Sequence, residues 1–109
     1  MIVYRAAAGT IERIVMKGMP LGQFTKFPYQ TRELALSPGD TVLLMSDGLN
    51  EMFNQHGETF DERRTAEAFT LVGRNNPQEI IDHLAAEGKQ WANGRPQADD
   101  MTLVVLKIR

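Results

Sequence analysis

Two short apolar runs, far apart in the chain and each bordered by aspartate, most constrain what this chain can fold into. The first run, Thr41–Met45, is followed by Asp47. The second run, residues 101–106, directly follows Asp99 and Asp100. Nearly unbroken apolar runs predict strands that are buried on both faces of a sheet. Because a carboxylate at the mouth of a buried strand is costly without a cationic partner, we expect the two acidic ends to meet at a divalent-cation site.

Composition and charge exclude several classes of function. The chain has 109 residues, of which 42% are hydrophobic and 24% charged, as in one water-soluble domain or part of one. A net charge of -2 without a basic stripe gives no reason to expect nucleic acid. The apolar runs are too short to span a membrane, and the first residues lack the layout of a signal peptide. The chain has no cysteine, which excludes disulfides and thiolate chemistry. We expect a cytoplasmic location.

The remaining pattern predicts an α+β protein with helices on one face of a largely antiparallel sheet. Strands are expected at residues 2–5, 10–15, 29–36, 41–45 and 100–108, the last of them central in the sheet. A short helix is expected at residues 49–54 and a longer one at 61–72, with Ala66, Phe69 and Leu71 on its apolar side. A second long helix is expected from Pro77, after the cap Asn76, to Asn93. Its expected buried stripe comprises Ile80, Ile81, Leu84, Ala85 and Trp91.

The aspartates admit two interpretations when each is taken alone. Ser46-Asp47-Gly48 is also a common turn sequence, and Asp99 can be an ordinary loop carboxylate. Adjacent residues of an extended chain face opposite sides, so only one of Asp99 and Asp100 is expected to bind a metal directly. Mg²⁺ and Mn²⁺ prefer about six oxygen ligands, and no third acid has a comparable placement, so the pair forms an incomplete site.

Taken together, several segments form an ordered series that resembles a known family. The series comprises residues 18–22, 36–40, 43–51, 54–60 and 99–105. It resembles the C-terminal half of bacterial protein phosphatase 2C-type domains, in the SpoIIE/RsbU-like branch, from about Tyr4 to the last residue. The resemblance implies the C-terminal portion of a phosphatase 2C-like β-sandwich with flanking helices.

The resemblance also implies a function. The family members are metal-dependent serine/threonine phosphatases, in which a binuclear Mn²⁺ or Mg²⁺ centre activates a water that attacks phosphoserine or phosphothreonine. By resemblance, Asp47 and Asp99 match metal ligands, and Asp100 lies where a polar neighbour supports the metal site. The implied partner is a phosphorylated STAS-type anti-anti-sigma protein of bacterial signalling.

One departure from the family pattern limits these expectations. The family's N-terminal metal-binding elements, including the aspartate that bridges both metals, have no match in residues 1–109. We therefore expect the chain to be the C-terminal half of the domain without its N-terminal half, and to be inactive alone. Its exposed sheet edges should favour homodimers. The alternatives are a non-catalytic phosphatase-fold module for protein interaction or dimerisation, and an unrelated metal-binding α+β domain.

Overall fold

A four-stranded antiparallel sheet with two helices against one face forms the described part of the chain. The computed structural model describes residues 1–14, 34–95 and 101–109. The elements, in chain order, are β1 Ile2–Arg5, β2 Thr10–Arg13, β3 Thr41–Met45, α1 Asp61–Val72, α2 Pro77–Ala92 and β4 Leu103–Lys107. The strand order is β2-β1-β3-β4, and every neighbouring pair is antiparallel. The α+β expectation is confirmed.

The register of the sheet divides its side chains between two faces. Ile2 lies opposite Leu43, and Leu43 lies opposite Val105, so these three share the face that packs against the helices. The opposite face, here called the outer face, has a smaller buried cluster of Val3 and Val42. Each strand therefore contributes alternate residues to two separate apolar layers.

The helices begin and end close to where the sequence predicts. In α2, the side chain of Asn76 accepts a hydrogen bond from the backbone N–H of Glu79 at 2.8 Å, which satisfies one of the unpaired donors of the first turn. The helix ends at Asn93, which adopts a left-handed conformation with φ 47°. In α1, Asp61 accepts a hydrogen bond from the backbone N–H of Arg64. Neither helix of the described residues is long and apolar enough to cross a membrane.

The buried sides of the helices differ in part from the prediction. In α1 the buried side chains are Thr65, Ala68, Phe69 and Val72. Leu71 is 76% exposed, so its predicted place on the apolar side is wrong, because helical rotation carries it away from Phe69. In α2, Ile80 and Leu84 are fully buried, whereas the predicted Ile81, Ala85 and Trp91 are only half-buried.

Two predictions about the strands are wrong. β4 is an edge strand of the described sheet, not a central one. The outer face is open at its β3–β4 end, where Leu44, Val104 and Leu106 are 40%, 43% and 50% exposed. Burial on both faces therefore holds for the first part of β3 only, since no layer of the described residues covers this end of the outer face. The second sheet of a sandwich is likewise not among the described residues.

The predicted short helix at residues 49–54 is also absent. Residues 47–51 form a turn, and a narrow hairpin follows in which Phe53 pairs with Thr59. The side chain of Asn54 accepts hydrogen bonds from the backbone N–H groups of His56 and Glu58, which offers this backbone an alternative to a helix. The predicted strand at residues 29–36 lies mostly outside the described residues, and its described part, residues 34–36, is not in a strand.

Asp40, just before β3, is a buried carboxylate that fixes the start of this strand. It accepts hydrogen bonds from the backbone N–H groups of Ser37 at 2.9 Å and Ala6 at 3.0 Å, and it pairs with Arg5 at 3.3 Å. The Ser37 and Ala6 N–H groups, and after them the Arg5 guanidinium, hold the pKa of Asp40 below its usual value although burial opposes this. The Asp40 carboxylate thereby joins the loop before β3 to the end of β1.

The lowered pKa of Asp40 predicts a pH-dependent contribution to stability. Because the folded-state pKa is below the unfolded value of 3.8, the contribution is fully present above that value and is lost as the pH falls through the folded-state pKa. We expect Asp40→Asn to lower the free energy of unfolding by about 1.5–3 kcal/mol at neutral pH, because the amide cannot accept all three hydrogen bonds. The difference should shrink in acid, as measured by urea denaturation across the pH range. An equal difference at all pH values would contradict this, and Asp82→Asn on the surface of α2 is the control.

The C-terminal end of α1 is held against the sheet by a tight contact. Its carbonyl at Gly73 accepts hydrogen bonds from the Thr41 hydroxyl at 2.9 Å and from the Lys107 ammonium at 3.0 Å. Lys107 also donates to the carbonyl of Asn75 at 2.8 Å, so a cation lies at the negative end of the helix. A Cβ at Gly73 would collide with the ring of Tyr4, so a larger residue here requires the helix end or the ring to shift.

We expect Gly73→Ala to destabilise the protein by about 1–3 kcal/mol through overpacking against Tyr4. The φ of Gly73 is -57°, which alanine adopts freely, so the loss would be steric rather than conformational. Thermal denaturation followed by circular dichroism measures it. Ala86→Ser, which also adds one heavy atom but at an exposed site on α2, is the control. An unchanged melting temperature for Gly73→Ala would show that the helix end can move away from the sheet.

Candidate metal centre

Asp47 is the first residue beyond the pairing of β3 with β4. The backbone N–H of Ser46 donates to the carbonyl of Thr102 at 3.0 Å, and the N–H of Thr102 donates to the Ser46 hydroxyl at 2.9 Å. These contacts extend the β3–β4 ladder by one residue pair. Asp47, which follows Ser46, and Met101, which precedes Thr102, therefore both lie next to this last pair, at the same end of the sheet.

The turn after β3 exposes the Asp47 carboxylate by burying the residues that follow it. The carbonyl of Asp47 accepts a hydrogen bond from the N–H of Glu51 at 2.9 Å, which closes the turn. Leu49 is fully buried, and a Cβ on Gly88 of α2 would lie 2.7 Å from its side chain. This close approach fixes the turn on α2, while Asp47 itself is exposed.

A small cavity of about 120 Å³ borders Asp47 on the side of α1. Ser46, whose hydroxyl accepts from the Thr102 N–H, also lines it, as do two residues with side-chain carbonyl or carboxylate oxygens, Asn50 and Glu62. Both have partners in the fold, since Asn50 accepts from the Thr65 hydroxyl at 2.6 Å and Glu62 pairs with Arg13 at 2.6 Å. Asn50 and Glu62 therefore serve the fold, and Asp47 is the lining residue that the sequence predicts to bind metal.

The described residues supply only part of the predicted centre. Asp99 and Asp100 lie outside them, between Arg95 and Met101. Among the described residues, no group of three or more acidic, histidine or cysteine side chains could hold a metal ion. The exposed carboxylate of Asp47 is a hard oxygen donor of the kind that Mn²⁺ and Mg²⁺ prefer. It fits one position of such a centre, which needs about six ligands.

The chain entering residues 96–100 is fixed by contacts that the sequence analysis did not predict. The indole N–H of Trp91 is 3.1 Å from the carbonyls of both Met52 and Glu58. The guanidinium of Arg95 donates to the carbonyl of Asn54 at 3.0 Å and lies 5.2 Å from the centre of the Phe53 ring. The hairpin after Asp47 is therefore attached to the end of α2, at a point four residues before Asp99 in the sequence. Local sequence patterns carry no signal for such long-range contacts.

The fold matches solved structures of phosphatase domains. The PP2C phosphatase domain with a fragment of the regulatory domain of SpoIIE, a cell fate determinant of Bacillus subtilis, matches with a TM-score of 0.79 and 27% identity, over 98% of this chain and 30% of that one. A Mn-presoaked structure of the SpoIIE phosphatase domain matches with a TM-score of 0.69 and 25% identity, over 98% of this chain and 45% of that one. The described residues have the fold of part of a PP2C-type phosphatase domain.

Sequence comparison gives the family. The profile of the family "Stage II sporulation protein E (SpoIIE)" matches residues 1–109. Stage II sporulation protein E of Bacillus subtilis (strain 168) is 32% identical over 98 residues, which are 90% of this chain and 12% of that protein. This chain belongs to the SpoIIE family. It spans less than half of the two solved structures and a small part of the curated relative.

Proposed function

We propose that this chain is part of a metal-dependent serine/threonine protein phosphatase of bacterial signalling, with Asp47, Asp99 and Asp100 at its metal centre. The observation that carries the proposal is the Ser46–Thr102 contact, since Asp47 follows one partner and Asp100 lies two residues before the other. Membership of the SpoIIE family and the match to a Mn-presoaked phosphatase domain support the same assignment.

In this proposal, neighbouring residues hold the metal-binding aspartates in position. The buried Leu49 and the closed turn keep the Asp47 carboxylate at the strand end, and Ser46 keeps Thr102 beside it. Neighbouring carboxylates repel one another, and a divalent cation between them relieves that repulsion. When bound, Mn²⁺ or Mg²⁺ supplies positive charge to the phosphoryl oxygens and lowers the pKa of a nearby water.

The proposed substrate is a phosphoserine or phosphothreonine of a STAS-type anti-anti-sigma protein in the cytoplasm. This part of the proposal rests on family membership alone. We further propose that residues beyond this chain would supply the remaining metal ligands, because the chain spans less than half of the solved domains. The isolated chain would then bind metal weakly and hydrolyse little.

A second function is favoured by one observation. The outer face exposes Leu44, Val104 and Leu106 on two adjacent strands, which is the pattern of an apolar contact surface. The chain could therefore act as a non-catalytic phosphatase-fold module for protein interaction or dimerisation. The two functions differ in their metal dependence, which the following experiment measures.

In the full-length phosphatase, we expect Asp47→Asn and Asp99→Asn each to lower Mn²⁺-dependent hydrolysis of p-nitrophenyl phosphate at least about 100-fold, because each removes a charged ligand. The manganese affinity of both variants, measured by calorimetric titration, should fall together with the hydrolysis rate. Asp82→Asn, at an exposed site on α2, is the matched control. Retention of both activity and affinity in the Asp47 and Asp99 variants would refute the metal assignment and favour the non-catalytic module.

For the isolated chain, we expect self-association through β4 and the outer face. The bonds from Ser46 to Thr102 and from Ile108 to Asp40 set the ladder so that the backbone groups of Leu103, Val105 and Lys107 point away from β3, at an edge that no described strand covers. The double variant Val104→Lys and Leu106→Lys should shift sedimentation toward monomer, because it charges the exposed apolar face.

Leu71→Lys is the control for self-association, since it removes an apolar side chain that is even more exposed, from α1 and away from the outer face. A wild-type chain that remains monomeric at all concentrations would contradict the prediction. An equal effect of the Leu71 variant would show that association is not specific to the outer face.

A further inference from the structure

A cavity of about 360 Å³ lies beside the C-terminal end of α2 and has no role in the function proposed above. Its apolar lining includes Met52, Ala85, Ala92 and Met101. Among the described residues of its lining, Lys89 and Arg95 carry charge, and both are exposed. The cavity thus combines an apolar surface with two positive charges.

The two positive charges are not neutralised within the described part of the chain. There, Lys89 and Arg95 form no ion pair with a carboxylate. Other arginines in the same part do form such pairs: Arg5, Arg13, Arg63 and Arg64. Arg95 is held in place by the carbonyl of Asn54 and the ring of Phe53, so its charge has a fixed position. Because no carboxylate of the described residues pairs with Lys89 or Arg95, and the Arg95 charge has a fixed position, the cavity favours an acidic ligand.

The cavity lies at the same end of the sheet as Asp47. Met101 lines it and directly precedes Thr102, whose backbone is bonded to Ser46 beside Asp47. A protein whose phosphorylated residue lay at Asp47 would therefore place neighbouring residues close to this cavity. The methionine side chains of Met52 and Met101 adapt their shape to different apolar groups, which suits contact with a flexible segment.

We propose that this cavity docks an acidic residue and an adjoining apolar residue of the phosphoprotein substrate, next to the phosphorylated side chain. The proposal rests on the proposed phosphatase function and names a determinant of its specificity. Lys89 and Arg95 bind the carboxylate, and the methionines and alanines receive the apolar side chain. Recognition then depends on residues around the phosphoserine as well as on the phosphate.

The test uses the full-length phosphatase with Mn²⁺ and two phosphoserine peptides. One peptide carries glutamate and leucine beside the phosphoserine, and the other carries glutamine in place of glutamate. We expect the wild type to prefer the acidic peptide, and Lys89→Glu to reduce this preference roughly fivefold, mainly through KM. Ala85→Leu, which fills the cavity without changing charge, should raise KM for both peptides relative to p-nitrophenyl phosphate, which is too small to reach the cavity.

Arg63→Glu is the matched control, since it makes the same kind of charge change on the exposed surface of α1. It should leave the peptide preference at the wild-type value. The proposal is overturned if Lys89→Glu leaves the preference unchanged. It is also overturned if both cavity variants slow hydrolysis of the peptides and of p-nitrophenyl phosphate equally, or lower the melting temperature, since the cavity would then serve the fold.

Failure of docking can be separated from failure of the phosphatase function. Wild-type hydrolysis of p-nitrophenyl phosphate tests the metal centre without the cavity. Fluorescence anisotropy with the unphosphorylated acidic peptide tests the cavity without catalysis. Binding that weakens in Lys89→Glu but not in Arg63→Glu supports docking even in a protein that hydrolyses none of the three substrates. Equal binding by all three proteins refutes docking even in an active enzyme.

Discussion

The antiparallel pairing of β3 with β4 is the interaction on which the fold and the proposed site both depend. It aligns Leu43 with Val105 in the main core, and it continues past the strands to Ser46 and Thr102. A shift of one residue would exchange the two faces of β4 and would expose core side chains. The same register sets where the chain leaves the sheet beside Asp47. Core packing and the position of Asp47 at the end of the sheet are therefore fixed by one set of hydrogen bonds.

Sequence patterns predicted the elements whose signals are local. The cap at Asn76 and the left-handed Asn93 bound α2, and both depend on residues within one helical turn. The patterns failed where distant packing decides. β4 lies at the edge of the described sheet, because the burial of a strand depends on which strands and layers surround it and not on its own hydrophobicity.

The candidate site shows the same division. The strand-then-aspartate pattern predicted the position of Asp47, since a strand end and a turn are local features. The pattern did not reveal that Trp91 and Arg95 hold the hairpin that follows Asp47, because those contacts join residues about forty positions apart. Nor did it predict the burial of Asp40, which resembles any turn aspartate until its three donors are seen. The proposed site thus combines a locally encoded candidate ligand with supporting contacts that only the tertiary structure reveals.

The position of Lys107 has a consequence for synthesis of the protein. Its ammonium joins Thr41, 66 residues earlier, and completes the end of α1. Contacts of such high sequence separation form late, because loop closure must precede them. On the ribosome, α1 and α2 emerge while the edge of β3 still lacks its partner. β3 can pair with β4 only after β4 has left the exit tunnel. Until that point the nascent chain carries an unpaired strand edge, which chaperones can bind.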